Sequence, residues 1–170
     1  MESSETNWGY LACFGPMNMM GYFREPELTK QTVIDGYVRS QDIGYLDEEG
    51  YLCFVGRAGD VINTGGNKVA PEEVENVAMD FGGIRECACS GVEDPLLGQV
   101  PKLYVVPEVG EDGTPFSLDL IALARYLANR LETFKLPREI CLIRAVPRNY
   151  MGKPQRNRCE EAEPWYSTKK

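Results

Sequence analysis

Between Ser40 and Glu75 the chain gathers side chains suited to a sugar and a phosphate. Asp42 offers carboxylate oxygens to hydroxyl donors, Arg57 a fixed fork of N–H donors, and Gly65-Gly66 a bare turn followed by the ammonium of Lys68. Much later, Gly152-Lys153 adds one more cation on a loop. No nucleophile stands beside a base in either stretch. The sequence has no histidine, which excludes a Ser-His-Asp triad, a Cys-His pair and any histidine metal ligand within it. Binding groups without a chemical engine point to part of a larger catalyst.

Each of these residues also has an ordinary reading. Asp42 serves equally well as a hairpin cap, and Arg57 as a solvated surface residue. Gly59 fits a simple turn, or a pivot that absorbs large backbone rotation. Gly65-Gly66 is ordinary hairpin chemistry. Gly152-Lys153 is not a Walker loop, because no glycine stands five residues before Gly152.

Composition narrows the classes. With 170 residues, 43% of them apolar, the chain can build one compact core with an appended piece. Its net charge of −8 argues against a general nucleic-acid binder, so an anionic ligand must be held by a few local groups. Six cysteines lack C-x-x-C spacing and the density of a small secreted scaffold, so no metal site is expected and the thiols are expected to be reduced. Cys87 and Cys89, two apart in a strand-like stretch, should share one partly buried face. No apolar run is long enough to span a membrane, and the start Met1–Glu5 is acidic where a secretory signal is basic. The expected location is the cytoplasm.

The elements that must position these groups follow from periodicity and breakers. Residues 8–57 read as short strands: Tyr10 to Phe14, Gly36 to Arg39, Gly44 to Leu46, and Tyr51 to Val55 after an Asp47–Gly50 turn. Nothing there looks able to close a core unaided, and the glycines around Arg57-Ala58 mark a boundary. Beyond it, Val61–Asn63 and Asn67–Val69 flank the glycine turn as a hairpin. Pro71 opens a helix with Glu72 and Glu73 in its first turn and Val74, Val77, Ala78 and Phe81 on its inner face, stopped by Gly82-Gly83. A second helix is expected from Leu118 to Leu131, with Leu120, Leu123, Ala124, Leu127 and Leu131 inward. Strands are expected at Glu86–Val92, Leu103–Val106 and Ile140–Ile143. This order gives an α+β fold, a small mixed sheet with helices packed on one face. From Pro147 onward the chain is polar and punctuated by glycine and proline, and its charged end is expected to be a mobile tail.

In order, these residues carry a resemblance: Gly21-Tyr22-Phe23, Thr29, Asp35-Gly36-Tyr37, Asp42, Gly50-Tyr51-Leu52, Gly56-Arg57, Gly65-Gly66, Pro71 with Glu73 and Glu75, then Pro147-Arg148 and Gly152-Lys153. The chain resembles the C-terminal part of the acyl-adenylate-forming enzymes, the acyl-CoA synthetases most of all, over residues 9 to 158. The resemblance implies a β-rich tail end of a large N-terminal domain over 1–58 and the C-terminal lid domain over 59–170. It implies an enzyme that joins a carboxylate to the α-phosphate of ATP, releases pyrophosphate, and passes the acyl group to CoA. The small domain turns between the two half-reactions.

The same resemblance assigns roles. Asp42 binds the ribose hydroxyls, although Ser40-Gln41 replaces the usual Thr-Gly before it. Arg57 reaches the nucleotide, and Lys68 contacts phosphates of ATP or CoA. Gly65 and Gly66 line the pantetheine channel. Gly59 stands at the hinge, where aspartate or lysine is usual, so bending is kept and side-chain locking is put in question. Lys153 is the catalytic lysine of adenylation, on the moving domain across from the glycines. ATP or AMP and CoA are substrates, and magnesium is expected with ATP through the missing large domain. The partners implied are these small molecules and that N-terminal domain; self-association through the strand edges of the first segment is a further expectation. Two other functions stay open: a piece loading a carrier protein, and a free-standing binding or regulatory module. As a fragment the chain is expected to be inactive alone.

Overall fold

The computed structural model describes residues 8–110 and 117–165, so the acidic start at Met1–Glu5 and the last residues of the tail lie outside the described residues. The chain forms two compact units, residues 1–59 and 60–170.

The first unit is built on one long strand. It contains β1 (Gly9–Cys13), α1 (Pro26–Thr32), β2 (Val33–Ile34), β3 (Tyr37–Leu46) and β4 (Leu52–Arg57). All pairing is antiparallel to β3: β1 lies along one edge, while β2 and β4 share the other. The two short strands expected at 36–39 and 44–46 are therefore one. Polar Ser40-Gln41-Asp42 hides that continuity from an apolar count, yet Ser40 supports it: its hydroxyl donates to the Leu11 carbonyl at 3.1 Å and accepts from the Asp42 N–H at 3.1 Å. Those bonds sit where the β1–β3 register slips between Tyr10 and Ala12. The α1 helix was not expected, because none of its residues is buried and it shows no apolar stripe.

Neither hydrophobic core draws on this unit. Ile43, 7% exposed, is its one buried large apolar side chain among the described residues, while Phe14, Met17, Met20 and Phe23 are exposed.

The second unit holds β5 (Ile62–Thr64), β6 (Asn67–Val69), α2 (Pro71–Met79), β7 (Ile84–Asp94), β8 (Gly98–Pro107), α3 (Leu120–Ala128) and β9 (Glu139–Leu142). Its spine is the antiparallel β7–β8 ladder, paired from Glu86 opposite Val106 down to Asp94 opposite Gly98. On the far side of β8, β5 joins at Gly98 and β9 runs parallel along Lys102–Val105. The mixed sheet and its two helices make the expected α+β fold.

Strand alternation sorts the core into two faces. Cys89, Leu103 and Val105 point to α2 and α3, meeting Val74, Ala78, Leu123 and Leu127, with Cys87, Ile140 and Leu142 alongside. Cys87 and Cys89 thus share one face, as their spacing requires. Asp119 caps α3 by accepting from the N–H groups of Ile121 and Ala122. Ala124, expected to face inward, is exposed: α3 starts later and is shorter than its apolar pattern suggests, and its inner stripe is Leu123 and Leu127.

On the opposite face part of the polar stretch after Pro147 packs, while its charged end lies outside the described residues. Ala88, Tyr104 and Val106 are covered by Ile143, Val146, Cys159 and Trp165 from the C-terminal segment. A 3-10 turn at Arg156–Glu161 places the buried Cys159 there, and Tyr104 donates to Glu160 at 2.5 Å. A segment poor in apolar residues packs because its few apolar ones are placed against one sheet face.

Candidate functional site

Asp42 and Arg57 are brought together by register. They stand opposite each other in the β3–β4 ladder, Arg57 Nε lying 3.5 Å from Asp42 Oδ1. The ladder continues one step further through Ala58 N–H to the Gln41 carbonyl at 2.9 Å. Both side chains keep solvent access, so a carboxylate and a guanidinium are presented side by side on one sheet surface.

Gly59 follows directly. Its backbone is in a conformation open to any residue, and nothing lies within 4 Å of where a Cβ would stand. Glycine is not required by this arrangement. Its use, if any, lies in other backbone angles.

The glycine pair does have a conformational reason. Gly65 and Gly66 have φ of +57° and +87°, the left-handed values that a two-residue hairpin turn with the right twist demands. Thr64 pairs with Asn67 across it, and Gly65 N–H donates to the Leu97 carbonyl at 2.9 Å, which ties the turn to the β7–β8 connection. A Cβ on Gly65 would approach Leu97 Cδ2 to 3.1 Å, whereas one on Gly66 would meet open space. Lys68, beyond the turn, is exposed on β6.

Lys153 sits on a turn organised by its neighbours. Asn149 Oδ1 accepts from the N–H groups of Met151 and Lys153, each at 2.9 Å, and the main chains of Asn149 and Lys153 pair as well. Gly152, with φ +80°, allows the reversal. Arg148 bonds the Gly152 carbonyl at 2.7 Å and forms an ion pair with Glu86 of β7. The Lys153 side chain is exposed and makes no ion pair among the described residues.

These anchors separate the two groups of the second unit. The glycine turn meets the β7–β8 ladder at its Asp94–Gly98 end, and the Lys153 turn is tied to Glu86 at the other. Eight residues of strand at roughly 3.3 Å each put these attachment points about 26 Å apart.

Sequence reading missed Arg156. Its guanidinium forks onto Glu75, Nε to Oε1 at 2.7 Å and Nη2 to Oε2 at 2.8 Å, with Asp60 Oδ2 2.8 Å from Nη1 and Glu72 Oε1 3.1 Å from Nη2. Hydrogen bonding to Glu75 holds the arginine firmly cationic. Glu75 also accepts the Cys89 N–H at 2.8 Å. The signal was available in part: Glu72 and Glu75 stand one helical turn apart with Asp60 nearby in sequence, three acids in need of a cation. All six cysteines are free, and burial pushes the Cys87 thiol up to about 12 and that of Cys89 higher.

Residues 73–153 match the family described as the AMP-binding enzyme C-terminal domain. The chain carries an AMP-binding enzyme C-terminal domain. Among its relatives, the 2-succinylbenzoate–CoA ligase of Listeria monocytogenes serotype 4b (strain F2365) is 33% identical over 153 residues, 90% of this chain and 31% of the relative. The chain therefore spans about a third of the length of the curated relatives it matches. Among solved structures, the o-succinylbenzoate CoA synthetase of Bacillus subtilis, in complex with an acyl-adenylate intermediate, superposes with a TM-score of 0.86 at 30% identity, covering 95% of this chain and 32% of that one. The amide bond synthetase McbA of Marinactinospora thermotolerans gives 0.82 at 29% identity, covering 93% and 32%. No helix among the described residues is long and apolar enough to cross a membrane.

Proposed function

We propose that this AMP-binding enzyme C-terminal domain, with the strands before it, is the C-terminal part of a carboxylate–CoA ligase. In the first half-reaction a carboxylate oxygen attacks the α-phosphorus of ATP and pyrophosphate leaves. In the second, the CoA sulfur attacks the acyl carbonyl, its proton is lost, and AMP leaves. Residues 1–58 form the end of the large domain and 59–170 the lid, with Gly59 as pivot.

Lys153 brings positive charge to the α-phosphate and carboxylate during adenylation, where negative charge develops on the transferring group. Asp42 receives the ribose hydroxyls, Arg57 steadies the nucleotide, and Lys68 meets a phosphate. Gly65 and Gly66 leave room for the pantetheine arm. Magnesium enters with ATP and is held by the large domain. The setting is cytoplasmic.

The observation that carries this reading is the separation of the Lys153 turn from the glycine turn along one ladder. Groups whose anchors lie about 26 Å apart on one ladder are placed to serve different steps. A domain that turns between half-reactions needs two such ends. The curated relatives named as CoA ligases support CoA as acceptor; the likeness to an amide bond synthetase makes an amine the competing one.

The test separates the half-reactions in the ligase that contains this chain. Lys153→Ala abolishes acid-dependent pyrophosphate release but leaves thioester formation from a preformed acyl adenylate within a few-fold. Equal loss of both steps overturns the assignment, and an amine consumed in preference to CoA changes the acceptor. The isolated chain supports no pyrophosphate exchange; measurable exchange sinks that part.

A further inference from the structure

We infer that Arg156 is a positioning residue, which ties the Lys153 turn to Asp60, the residue next to Gly59, so that rotation at that glycine is passed to Lys153 as motion of a rigid arm. The inference rests on the function proposed above and adds a residue to it.

Three segments meet at this one guanidinium, and a fourth is reached through Glu75. Arg156 lies three residues after Lys153, at the start of the Arg156–Glu161 turn. It holds α2 through Glu75 and Glu72, and the entry to the unit through Asp60. Glu75 in turn holds β7 through the Cys89 N–H. A surface lysine would do none of this: its single ammonium cannot fork onto one carboxylate while reaching two more.

Burial gives the arrangement weight. The Arg156 side chain is 20% exposed and that of Glu75 14%, so water competes weakly with the pair. Breaking a buried, hydrogen-bonded pair by removing one partner leaves the other charge uncompensated. The contrast with Lys30–Glu27 is direct, since both of those side chains are mostly in solvent.

Geometry also explains why one anchor is not enough. Arg148 fixes the Lys153 turn from before, to Glu86 and to the Gly152 carbonyl. Arg156 fixes it from behind. With the second tie gone, the ion pair to β7 is the polar anchor that the turn keeps, and its link to Asp60 is lost.

The test uses the 170-residue chain first, with Arg156→Gln and Arg156→Lys. Amide exchange at Met151, Gly152 and Lys153 rises at least about tenfold in Arg156→Gln, while the β7–β8 ladder and the Thr64–Asn67 hairpin keep wild-type protection. Arg156→Lys recovers little, because charge without the fork does not restore the geometry. If the turn exchanges as in wild type, or protection falls equally throughout the unit, the proposal is overturned. This readout needs no ligase activity, so it fails separately from the functional reading. Should Arg156→Gln not fold, Arg156→Lys alone decides by the same comparison. In the ligase, Arg156→Gln lowers kcat for adenylation with KM for ATP nearly unchanged and spares the thioester step. Equal slowing of both steps rejects the positioning role.

Discussion

Asp42 and Arg57 face each other across the β3–β4 ladder, so one change of register would separate them. An exposed pair of this kind is worth at most ~1 kcal/mol, so little stability rests on it. Asp42→Asn should leave thermal unfolding of the chain almost unchanged. In the ligase it should raise KM for ATP at least about tenfold, as expected when charge-assisted hydrogen bonds are weakened. An unchanged KM removes Asp42 from the nucleotide site.

Gly66 allows steric and conformational effects to be told apart. Its Cβ position is open, so Gly66→Ala costs only the left-handed backbone, about 1–2 kcal/mol. Gly66→Leu should cost a similar amount in urea unfolding but slow thioester formation much more than the alanine variant. If both variants slow that step equally, side-chain bulk at the turn is irrelevant to CoA.

Glu72 predicts a pH dependence of stability. Burial holds its carboxyl above the ordinary 4.5, helped by the like charges of Glu75 and Asp60 and opposed by a backbone hydrogen bond and Arg156; one of its oxygens is buried without a hydrogen-bond partner. A raised value in the folded state means that folding favours the protonated form. The cost of ionising Glu72 is absent below 4.5 and grows as pH rises through the folded value. Glu72→Gln cannot ionise at this position, so its stability relative to wild type should improve as the pH is raised from below 4.5 to neutrality. A difference that stays constant in urea titrations across that span defeats the prediction.

The C-terminal segment should prove structural. A chain ending at Pro147 loses Cys159 and Trp165 from over Ala88, Tyr104 and Val106, and should bind a hydrophobic dye and lose its cooperative thermal transition. A cooperative transition in the truncated chain would show that the sheet needs no cover on that face.

Much of the second unit could be read directly because its signals are local. Gly65-Gly66 between two short strands, Pro71 opening α2, and the spacing of Cys87 and Cys89 each act within a few residues of sequence. What escaped reading depends on distance. Arg156 finds Glu75 and Asp60 far back along the chain, and Cys159 packs on Tyr104 with no periodicity to announce it. The α1 helix escaped for another reason: with no buried residue, it has no apolar stripe to detect. For the site, residue types and order carried Asp42, Arg57 and Lys153, while the separation of the two turns needed the register of the sheet.

The carboxylate of Glu75 has one more effect. β7 is the outer strand of its sheet, and Glu75 occupies the Cys89 N–H that would otherwise face outward from that edge. A neighbouring chain seeking to add a strand there finds that donor already taken. The contact between Glu75 and Cys89 thus also makes this edge a poorer template for aggregation.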